Sequence, residues 1–382
     1  MSNYIETTSK VLEVDPKNLK EFSAIDVFNN DNILNGVICR SSGQLYGTMI
    51  IYEINDKKVY PQIVYGTPKI TYPFDKNGVF HWPEINEIKS WNKLDGTNIL
   101  AYRYNIKNKR FVSYKTRLGP VVSDIGFGSF KSMWIEMLKE QEWIQKVIKD
   151  NPDYNLSFEL YGSRNPITIS YSTPLNVNLL FGIKKNGDIK PPSELKLDSN
   201  PLIPTEFEIT KLDDLSSIYN KLRENMSNIN AKSEDLLIEG MVLYAHVGEP
   251  SWKMVKCKPE EIEKIHWAAS GVIPKREIWN TAINAFEDVE PSIDYLEELL
   301  LEEYTKKMIM KSKIRIKNIF KEAIEHMRIV KEVNKVWSIA KEKGFNVHEN
   351  KDETMRFISK YFEKHQMKKI GTIILKQAGL IK

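Results

Sequence analysis

The sequence contains very little cysteine. Among its 382 residues, Cys39 and Cys257 stand far apart and have no neighbouring pairs of histidines. Two isolated cysteines exclude a disulfide framework and a structural zinc site of the usual ligand spacing. We therefore expect a protein of a reducing, intracellular compartment.

Long hydrophobic runs are also lacking. The N-terminal stretch MSNYIETTSKVLEVD has no apolar core of signal-peptide length. No run elsewhere approaches the roughly 20 apolar residues that cross a bilayer. The sequence thus predicts a cytoplasmic protein that has no membrane partner.

The composition is that of a folded protein. Hydrophobic residues make up 41% of the chain, charged residues 28% and aromatic residues 10%, which excludes a disordered chain. A single hydrophobic core rarely grows beyond about 250 residues. With 382 residues, the chain is expected to form two domains.

Residues 1–258 have the pattern of an antiparallel-sheet domain. β-branched and aromatic residues broken by turn signals fill residues 37–70, and apolar residues recur at helical spacing over 129–150. Residues 105–109 are expected to close a hairpin. We predict an α+β fold for this part, with further strands over 98–104, 110–115, 156–162, 178–184 and 236–246.

The character of the sequence changes after Lys258. Pro259 opens a stretch in which helical patterns alternate with short breaks. One apolar helix face is predicted from the spacing of Ile316, Phe320, Ala323, Met327, Val330 and Trp337. We therefore predict an all-helical C-terminal domain over residues 259–382.

Charge is distributed unevenly along this second part. Residues 260–304 carry 3 basic and 12 acidic side chains, whereas residues 305–382 carry 20 basic and 8 acidic ones. A basic surface of this density favours a polyanionic partner through phosphate contacts and counterion release. The alternative is a solvated, lysine-rich helix face that has no partner.

The sequence Lys93-Leu94-Asp95-Gly96-Thr97-Asn98 leads into a predicted strand from a turn. A lysine at such a strand edge can act as a nucleophile when burial or neighbouring cations lower its pKa. By itself, the motif is better explained by a lysine that flanks an Asx turn.

Three further elements follow in order: Ser157–Gly162 (SFELYG), Ile238–Val242 (IEGMV) and Val255–Lys258 (VKCK). Each has a structural interpretation of its own. Glu159 fits the solvent side of a strand, Glu239-Gly240 fits a β-bulge, and the paired lysines fit a surface strand end. The occurrence of all of these elements in one order favours a shared site.

In this order, the motifs resemble those of the covalent nucleotidyltransferase superfamily, which comprises DNA ligases, RNA ligases and mRNA capping enzymes. The resemblance extends from about residue 35 to residue 258. It implies an ATP-grasp-like ligase domain that uses ATP and Mg²⁺ (or Mn²⁺), followed here by the helical domain.

The resemblance also implies a role for each motif residue. Lys93 would be the adenylated lysine, Glu239 the metal ligand and Glu159 the ribose contact, although the roles of the two glutamates could be exchanged. Lys256 and Lys258 would act on the α-phosphate and lower the pKa of Lys93. The other implied nucleotide contacts are Asp95, Gly96, Phe158, Lys115 and Arg117, with Arg40 and Lys69 at the outgoing phosphates.

For the basic residues outside the four motifs, the alternative is surface charge.

DNA ligases and capping enzymes usually continue into an OB-fold of short strands after the paired lysines, whereas this chain continues into helices. It looks more like the RNA ligases, especially the phage enzymes that repair cut tRNA. Asn165-Pro166 and the Thr97-Asn98 pair add to that resemblance.

The resemblance implies joining of 5′-phosphate and 3′-hydroxyl RNA ends, single-stranded or from a broken tRNA, through lysyl-AMP and RNA-adenylate. Two alternatives stay open. One is an ATP-dependent DNA ligase or another nucleotidyltransferase. The other is a non-catalytic nucleic-acid-binding protein in which the basic helices bind the partner.

Overall fold

The computed structural model describes residues 3–40, 43–75, 78–123, 130–165, 169, 171–207, 214–232, 238–248, 252–260, 262, 272–273, 275–286, 291–301, 304 and 306–378. The chain divides into two units. The first comprises Met1–Val122 and Trp134–Ile265, and the second comprises Ser123–Met133 and His266–Lys382.

The strands of the described residues all lie in the first unit. They are β1 (Leu19–Asp26), β2 (Asn32–Cys39), β3 (Met49–Ile54), β4 (Lys57–Val64), β5 (Glu87–Asn92), β6 (Thr97–Ile106), β7 (Lys109–Lys115), β8 (Tyr154–Tyr161), β9 (Asn176–Lys184), β10 (Ile189–Lys190), β11 (Glu206–Phe207), β12 (Met241–His246) and β13 (Trp252–Cys257).

These strands form three sheets. Sheet A has the order β1-β2-β3-β4, sheet B the order β10-β9-β8-β6-β7, and sheet C the order β11-β5-β12-β13. Every pairing between neighbouring strands is antiparallel. The predicted α+β class with antiparallel sheets is therefore confirmed.

The α-helices are distributed over both units. They are α1 (Asn3–Leu12), α2 (Phe130–Glu140), α3 (Trp143–Asp150), α4 (Leu215–Asn230), α5 (Lys275–Ala285), α6 (Ile293–Leu301), α7 (Lys306–Glu342), α8 (Lys351–Ile358) and α9 (Met367–Gln377). Within the part of the chain that the structure describes, no helix is both long and apolar enough to cross a membrane.

The predicted hairpin is present. β6 and β7 pair from Leu100 opposite Lys115 to Ile106 opposite Lys109, which leaves Lys107 and Asn108 as the turn. Lys107 has a φ of 54° there, in the left-handed region. Runs rich in apolar and aromatic residues on both sides of a polar turn favour this pairing.

The single helix predicted over residues 129–150 is wrong, because two helices meet at Gln141. The Gln141 amide nitrogen donates to the side-chain oxygen of Asn176 at 2.9 Å, and its oxygen accepts from the indole N–H of Trp143 at 3.1 Å. The apolar spacing across the break is preserved, since Met137 and Ile144 are both buried. Contacts to β9 therefore interrupt a helix that the local pattern favours.

The main core of the first unit combines side chains from all three sheets. Met49 of sheet A, Leu100 and Phe181 of sheet B, and Trp91 and Tyr244 of sheet C belong to one buried cluster. Burial of large apolar side chains is the main stabilising contribution to a domain of this kind, at about 2 kcal/mol for each side chain. This shared core fixes the position of sheet B relative to sheet C.

The second unit is helical in its described part. In α7, the predicted apolar face is confirmed, since Ile316, Ala323, Met327, Val330 and Trp337 are all buried. A second cluster joins the end of α7 to α8 and α9, through residues that include Val333, Ile358 and Ile374. The helical interpretation of the C-terminal region is confirmed.

Candidate active site

Residues 93–96, the Lys-Leu-Asp-Gly segment, form the connection from sheet C to sheet B. β5 of sheet C ends at Asn92, and β6 of sheet B begins at Thr97. Glu239 precedes β12 and Lys258 follows β13, so both lie at the end of sheet C from which this connection leaves. Three motifs that are far apart in sequence therefore meet at one sheet end.

Glu239 lies between two lysines. Its Oε2 is 2.5 Å from Nζ of Lys93, and its Oε1 is 3.0 Å from Nζ of Lys258. The Glu239 side chain is only 4% exposed, that of Lys258 is 6% exposed and that of Lys93 is 23% exposed. The partly accessible member of this buried group is thus the lysine that was predicted to be the nucleophile.

The backbone places these side chains. The Lys93 amide N–H donates to the carbonyl of Gly240 at 2.8 Å. Glycine is required at 240 because a Cβ atom there would lie 2.4 Å from the carbonyl oxygen of Cys257. This close approach of two chain segments puts Glu239 beside both lysines.

Glu159 approaches the same segment from sheet B. It lies opposite Asn98 in the pairing of β6 with β8, and its Oε1 accepts the Gly96 amide N–H at 3.0 Å. A Cβ atom on Gly96 would lie 2.3 Å from the carbonyl oxygen of Leu160, so the motif glycine permits this contact. The segment is therefore held by a carboxylate on each side.

The two carboxylates have opposite electrostatic properties. Burial raises the pKa of Glu239, but the charges of Lys93 and Lys258 outweigh it and bring the pKa to about 2. Burial raises the pKa of Glu159 to about 7, even though Lys93 acts in the other direction. One carboxylate is ionised at neutral pH, and the other can hold a proton there.

The expected lowering of the Lys93 pKa is wrong for this arrangement of charges. Burial lowers the pKa of Lys93, but the negative charges of Glu239, Glu159 and Asp95 have the larger combined effect and raise it. The reason is geometric, since Lys258 faces Glu239 and offsets only part of that negative charge. Lys93 is therefore held as an ammonium ion.

Lys256 has a different environment from Lys258. Its Nζ lies over the ring of Tyr72, 4.5 Å from the centroid, and its amide N–H donates to the carbonyl of Thr71 at 2.9 Å. A cation over an aromatic face is stabilised by the quadrupole of the ring. Tyr72 was not identified from the sequence, because no pattern near it indicates a contact with β13.

Asp95 organises the chain around the site. Its Oδ2 accepts the Ile169 amide N–H at 2.7 Å, and its own N–H donates to the hydroxyl oxygen of Tyr171 at 2.8 Å. The Tyr171 ring lies 4.9 Å from that of Tyr161 at the end of β8. Asp95 thus holds the segment that follows the Glu159 strand; Tyr171 is a further residue that sequence reasoning missed.

The structure contradicts the predicted nucleotide contact of Phe158. The ring is fully buried and packs against Trp134 of α2 and Trp143 of α3, with centroid distances of 5.6 Å and 6.2 Å. Because successive strand residues point to opposite faces, Phe158 faces the helices when its neighbour Glu159 faces the site.

The expected phosphate or ribose contact of Lys115 is likewise contradicted. Its side chain is fully buried, and Nζ donates to the carbonyl oxygens of Gly47, Thr116 and Arg117 at 3.1, 2.8 and 2.9 Å. A lysine ammonium has three N–H donors, so all of them are used inside the protein. Lys115 ties the end of β7 to the loop before β3.

The other basic residues of the prediction, Arg117, Arg40 and Lys69, lie near the loop that precedes β3. The guanidinium of Arg117 lies over the ring of Tyr46, 5.5 Å from its centroid. Its positive charge offsets a small part of the rise that burial causes in the pKa of Glu159. Arg40 follows β2, and the Lys69 amide N–H donates to the carbonyl of Gly43 in the loop before β3. Arg117 is therefore within electrostatic reach of the site, and Arg40 and Lys69 flank the loop that Arg117 contacts.

Replacement of Lys115 by methionine is expected to destabilise the protein by about 3 kcal/mol or more, because it leaves buried carbonyls without donors at about 1–3 kcal/mol each. Urea unfolding would measure the loss. Lys109→Met is the matched control, since Lys109 is an exposed residue of the same strand. Equal stability of the two variants would contradict the role given to Lys115.

Glu159→Gln is expected to stabilise the protein at alkaline pH. An unfolded glutamate loses its proton near its usual pKa of 4.5, whereas folded Glu159 keeps the proton to about pH 7. The unfolded state therefore binds fewer protons between these values, and stability falls as pH rises. A shift of this size corresponds to about 3 kcal/mol above pH 7, and the gain should vanish below about pH 4.5.

Glu239→Gln is the control of opposite sign. Its folded pKa is lowered to about 2, so its contribution to stability is present above pH 4.5 and is lost as pH falls towards 2. Unfolding of both variants by urea at several pH values tests the pair. A Glu159→Gln variant that is less stable than the parent at pH 8 would contradict the assigned environment of Glu159.

Comparisons with known proteins give structural likeness only. No protein-family model and no curated protein sequence matches the chain. An archaeal ATP-dependent RNA ligase (form 1) shares 16% identity at a TM-score of 0.47, over 87% of this chain and 83% of that chain. A putative ATP-dependent DNA ligase from Aquifex aeolicus shares 16% identity at a TM-score of 0.44, over 94% of this chain and 88% of that chain.

A mutant RNA ligase from Naegleria gruberi with ATP and Mn shares 14% identity at a TM-score of 0.33, over 46% of this chain and 51% of that chain. The structural neighbours are thus ATP-dependent RNA and DNA ligases at low sequence identity. At these TM-scores the likeness is loose, and the geometry around Lys93 carries the functional conclusion.

Proposed function

We propose that the chain is an ATP-dependent RNA ligase that joins a 5′-phosphate end to a 3′-hydroxyl end. The observation that carries this proposal is the Lys93–Glu239–Lys258 group, in which a partly exposed lysine lies among buried charges contributed by three separate motifs. Buried ionisable groups with strongly shifted pKa values are typical of active sites. The site belongs to residues 1–258, which we propose as the adenylyltransferase domain.

In the first step, the Lys93 ammonium gives a proton to solvent, and its neutral Nζ then attacks the α-phosphorus of ATP. The N–P bond forms, the P–O bond to pyrophosphate breaks, and the second proton that the nitrogen loses also goes to solvent. Lys256 and Lys258 stabilise the negative charge that builds up on the phosphate oxygens. Both lysines are buried, which strengthens this effect because water screens them poorly.

Two transfers complete the reaction. An oxygen of the RNA 5′-phosphate attacks the phosphorus of lysyl-AMP, which breaks the N–P bond and gives RNA-adenylate. The 3′-hydroxyl oxygen then attacks the 5′-phosphorus, loses its proton and expels AMP. Lys93 is regenerated with its amine, so the ligase completes a catalytic cycle.

Mg²⁺ or Mn²⁺ would be held by Glu239, with Glu159 as the ribose contact. Mg²⁺ in such sites uses one or two carboxylates together with water and substrate phosphates. Among the described residues, no group of three or more His, Cys, Asp or Glu side chains that could hold a metal ion is present. The ion would supply charge neutralisation at the phosphates.

Incubation of the full chain with radiolabelled ATP and Mg²⁺ tests the proposal. A labelled protein band that survives denaturation and is released by acid indicates a lysyl-AMP bond. Subsequent addition of 5′-phosphorylated RNA or DNA distinguishes an RNA ligase from a DNA ligase. Failure to label the protein in the presence of Mg²⁺ or of Mn²⁺ would favour the alternative of a non-catalytic nucleic-acid-binding protein.

We further propose that the ligase acts in the cytoplasm on single-stranded or broken tRNA-like ends, in RNA repair. Support for RNA comes from the C-terminal region: the described part of residues 259–382 is helical where an OB-fold would require strands, and residues 305–382 carry 20 basic and 8 acidic side chains. Sealing assays with nicked duplex, single-stranded RNA and a cleaved tRNA anticodon stem-loop would rank the substrates.

A further inference from the structure

The positive charge of the second unit is concentrated in one half of α7. Residues 306–321 contain seven basic residues and no acidic one, whereas residues 322–342 contain four of each. All seven basic side chains are exposed: Lys306, Lys307, Lys311, Lys313, Arg315, Lys317 and Lys321. A helix of uniform solubilising charge would not be expected to divide in this way.

A groove of about 590 Å³ runs beside this half of the helix. Lys311, Ile314 and Arg315 of α7 line one side, and Val272 and Lys275 line the other. The amide N–H of Ile273 donates to Ser312 Oγ at 2.8 Å, and the Arg315 guanidinium donates to the carbonyl of Ile273 at 3.3 Å. These hydrogen bonds fix residues 272–273 against the helix, so the groove is built into the unit.

The groove combines cations with an exposed apolar side chain. Ile314 is 79% exposed in the groove, and Met310, one turn earlier, is 75% exposed. Lysine and arginine suit phosphate oxygens, and an apolar side chain suits the flat faces of sugars and bases. Glu322, which follows the basic half of α7, pairs through its Oε2 with Lys275 Nζ at 2.8 Å.

We infer that this groove and the first half of α7 bind the phosphate backbone of the RNA strand to be joined. This inference rests on the proposed function for the choice of RNA. An anionic membrane surface is a poorer fit, because the apolar face of α7 is buried through Met308, Ile309 and Ile316. Two exposed apolar side chains among seven cations do not form an interfacial face.

The test compares two charge-matched double variants of the full chain. Lys275→Gln with Lys311→Gln removes two exposed cations that line the groove and leaves the hydrogen bond from Arg315 to Ile273 in place, and Lys331→Gln with Lys335→Gln removes two exposed cations from the second half of α7. Binding of a fluorescein-labelled, 5′-phosphorylated single-stranded RNA is measured over a range of salt concentrations.

The groove variant is expected to reduce the slope of log affinity against log salt by about 1.4, which corresponds to roughly 25-fold weaker binding at 0.1 M salt. The control variant should bind within about twofold of the parent. Equal losses in the two variants, or none in either, would overturn the inference. So would loss of binding to phosphatidylserine vesicles in the groove variant with unchanged RNA binding.

Formation of lysyl-AMP separates this inference from the proposed function. Both double variants should label with radiolabelled ATP as the parent does, because the substitutions lie outside the group around Lys93. A parent chain that never labels contradicts the proposed ligase. The difference between the two RNA salt slopes decides the groove, whatever the labelling result.

Discussion

Substitution of Lys93 by alanine or arginine is expected to abolish formation of lysyl-AMP, with a loss of label below the detection limit. The Lys93–Glu239–Lys258 group contains two lysine amines, and that of Lys93 belongs to the more accessible side chain, which is 23% exposed against 6% for Lys258. Arginine stays protonated at any usable pH, so Lys93→Arg preserves the positive charge but cannot act as the nucleophile. Labelling with radiolabelled ATP measures the effect.

The two Lys93 variants are expected to differ in stability. Lys93→Ala removes one of the two cations beside Glu239, at a cost of about 1–3 kcal/mol for the hydrogen bond that Glu239 loses. Lys93→Arg keeps a cation there and should unfold closer to the parent. Lys58→Arg, at an exposed position of β4, is the control that should label normally. Retention of label in Lys93→Arg would disprove the nucleophile assignment.

Alanine at Lys256 or Lys258 is expected to slow adenylylation by about 10²–10³-fold, the scale of a lost donor that stabilises developing charge, about 3 to 4 kcal/mol. Single-turnover rates at saturating ATP and Mg²⁺ measure this. Lys253→Ala is the matched control because Lys253 is an exposed residue of the same strand, β13. Near-normal rates in both variants would assign the pair to structure and not to catalysis.

The Lys256→Ala and Lys258→Ala variants are also expected to differ in stability. Lys258 pairs with Glu239 at 3.0 Å, so its removal leaves that buried carboxylate with Lys93 alone. Lys256 packs over Tyr72, and its loss removes a cation–π contact of about 0.5–2 kcal/mol. Urea unfolding should therefore show a larger loss for Lys258→Ala than for Lys256→Ala. The reverse order would contradict the geometry of the site.

Burying ionisable groups in an active site lowers the stability of the folded protein. Glu159 is kept at a pKa of about 7 by burial, so part of it is ionised at neutral pH against the preference of its surroundings. A carboxylate with this property can respond to a bound nucleotide or metal by changing its protonation. The Glu159→Gln variant is expected to gain stability for this reason, and activity that is lost at the same time would link the two.

Local patterns in the sequence determined much of the secondary structure. Two runs rich in apolar and aromatic residues on either side of a polar turn predicted the β6–β7 hairpin, and a 3.6-residue period predicted the buried face of α7. The same patterns predicted one helix over residues 129–150. That prediction failed at Gln141, because a side-chain contact to Asn176 in β9 has no signature in the local sequence.

The order of the four motifs also indicated a site, but only the tertiary structure decided how its members are used. Residues 93–96 connect two sheets, and this placement brings Glu239 and Glu159 to the same segment from opposite sides. The sign of the Lys93 pKa shift depends on the distances among these charges, which motif spacing does not specify. The predicted shift was wrong for that reason.

Side-chain direction is the second property that the sequence left undetermined. Lys115 and Phe158 stand at positions that the resemblance assigned to the nucleotide. The ammonium of Lys115 instead contacts three carbonyl oxygens, and the ring of Phe158 packs against two tryptophans. Whether a strand residue faces a pocket or the interior depends on which layers cover each face of its sheet. Residue type and motif order come from the chain itself, whereas burial and charge pairing arise only when segments far apart in sequence pack together.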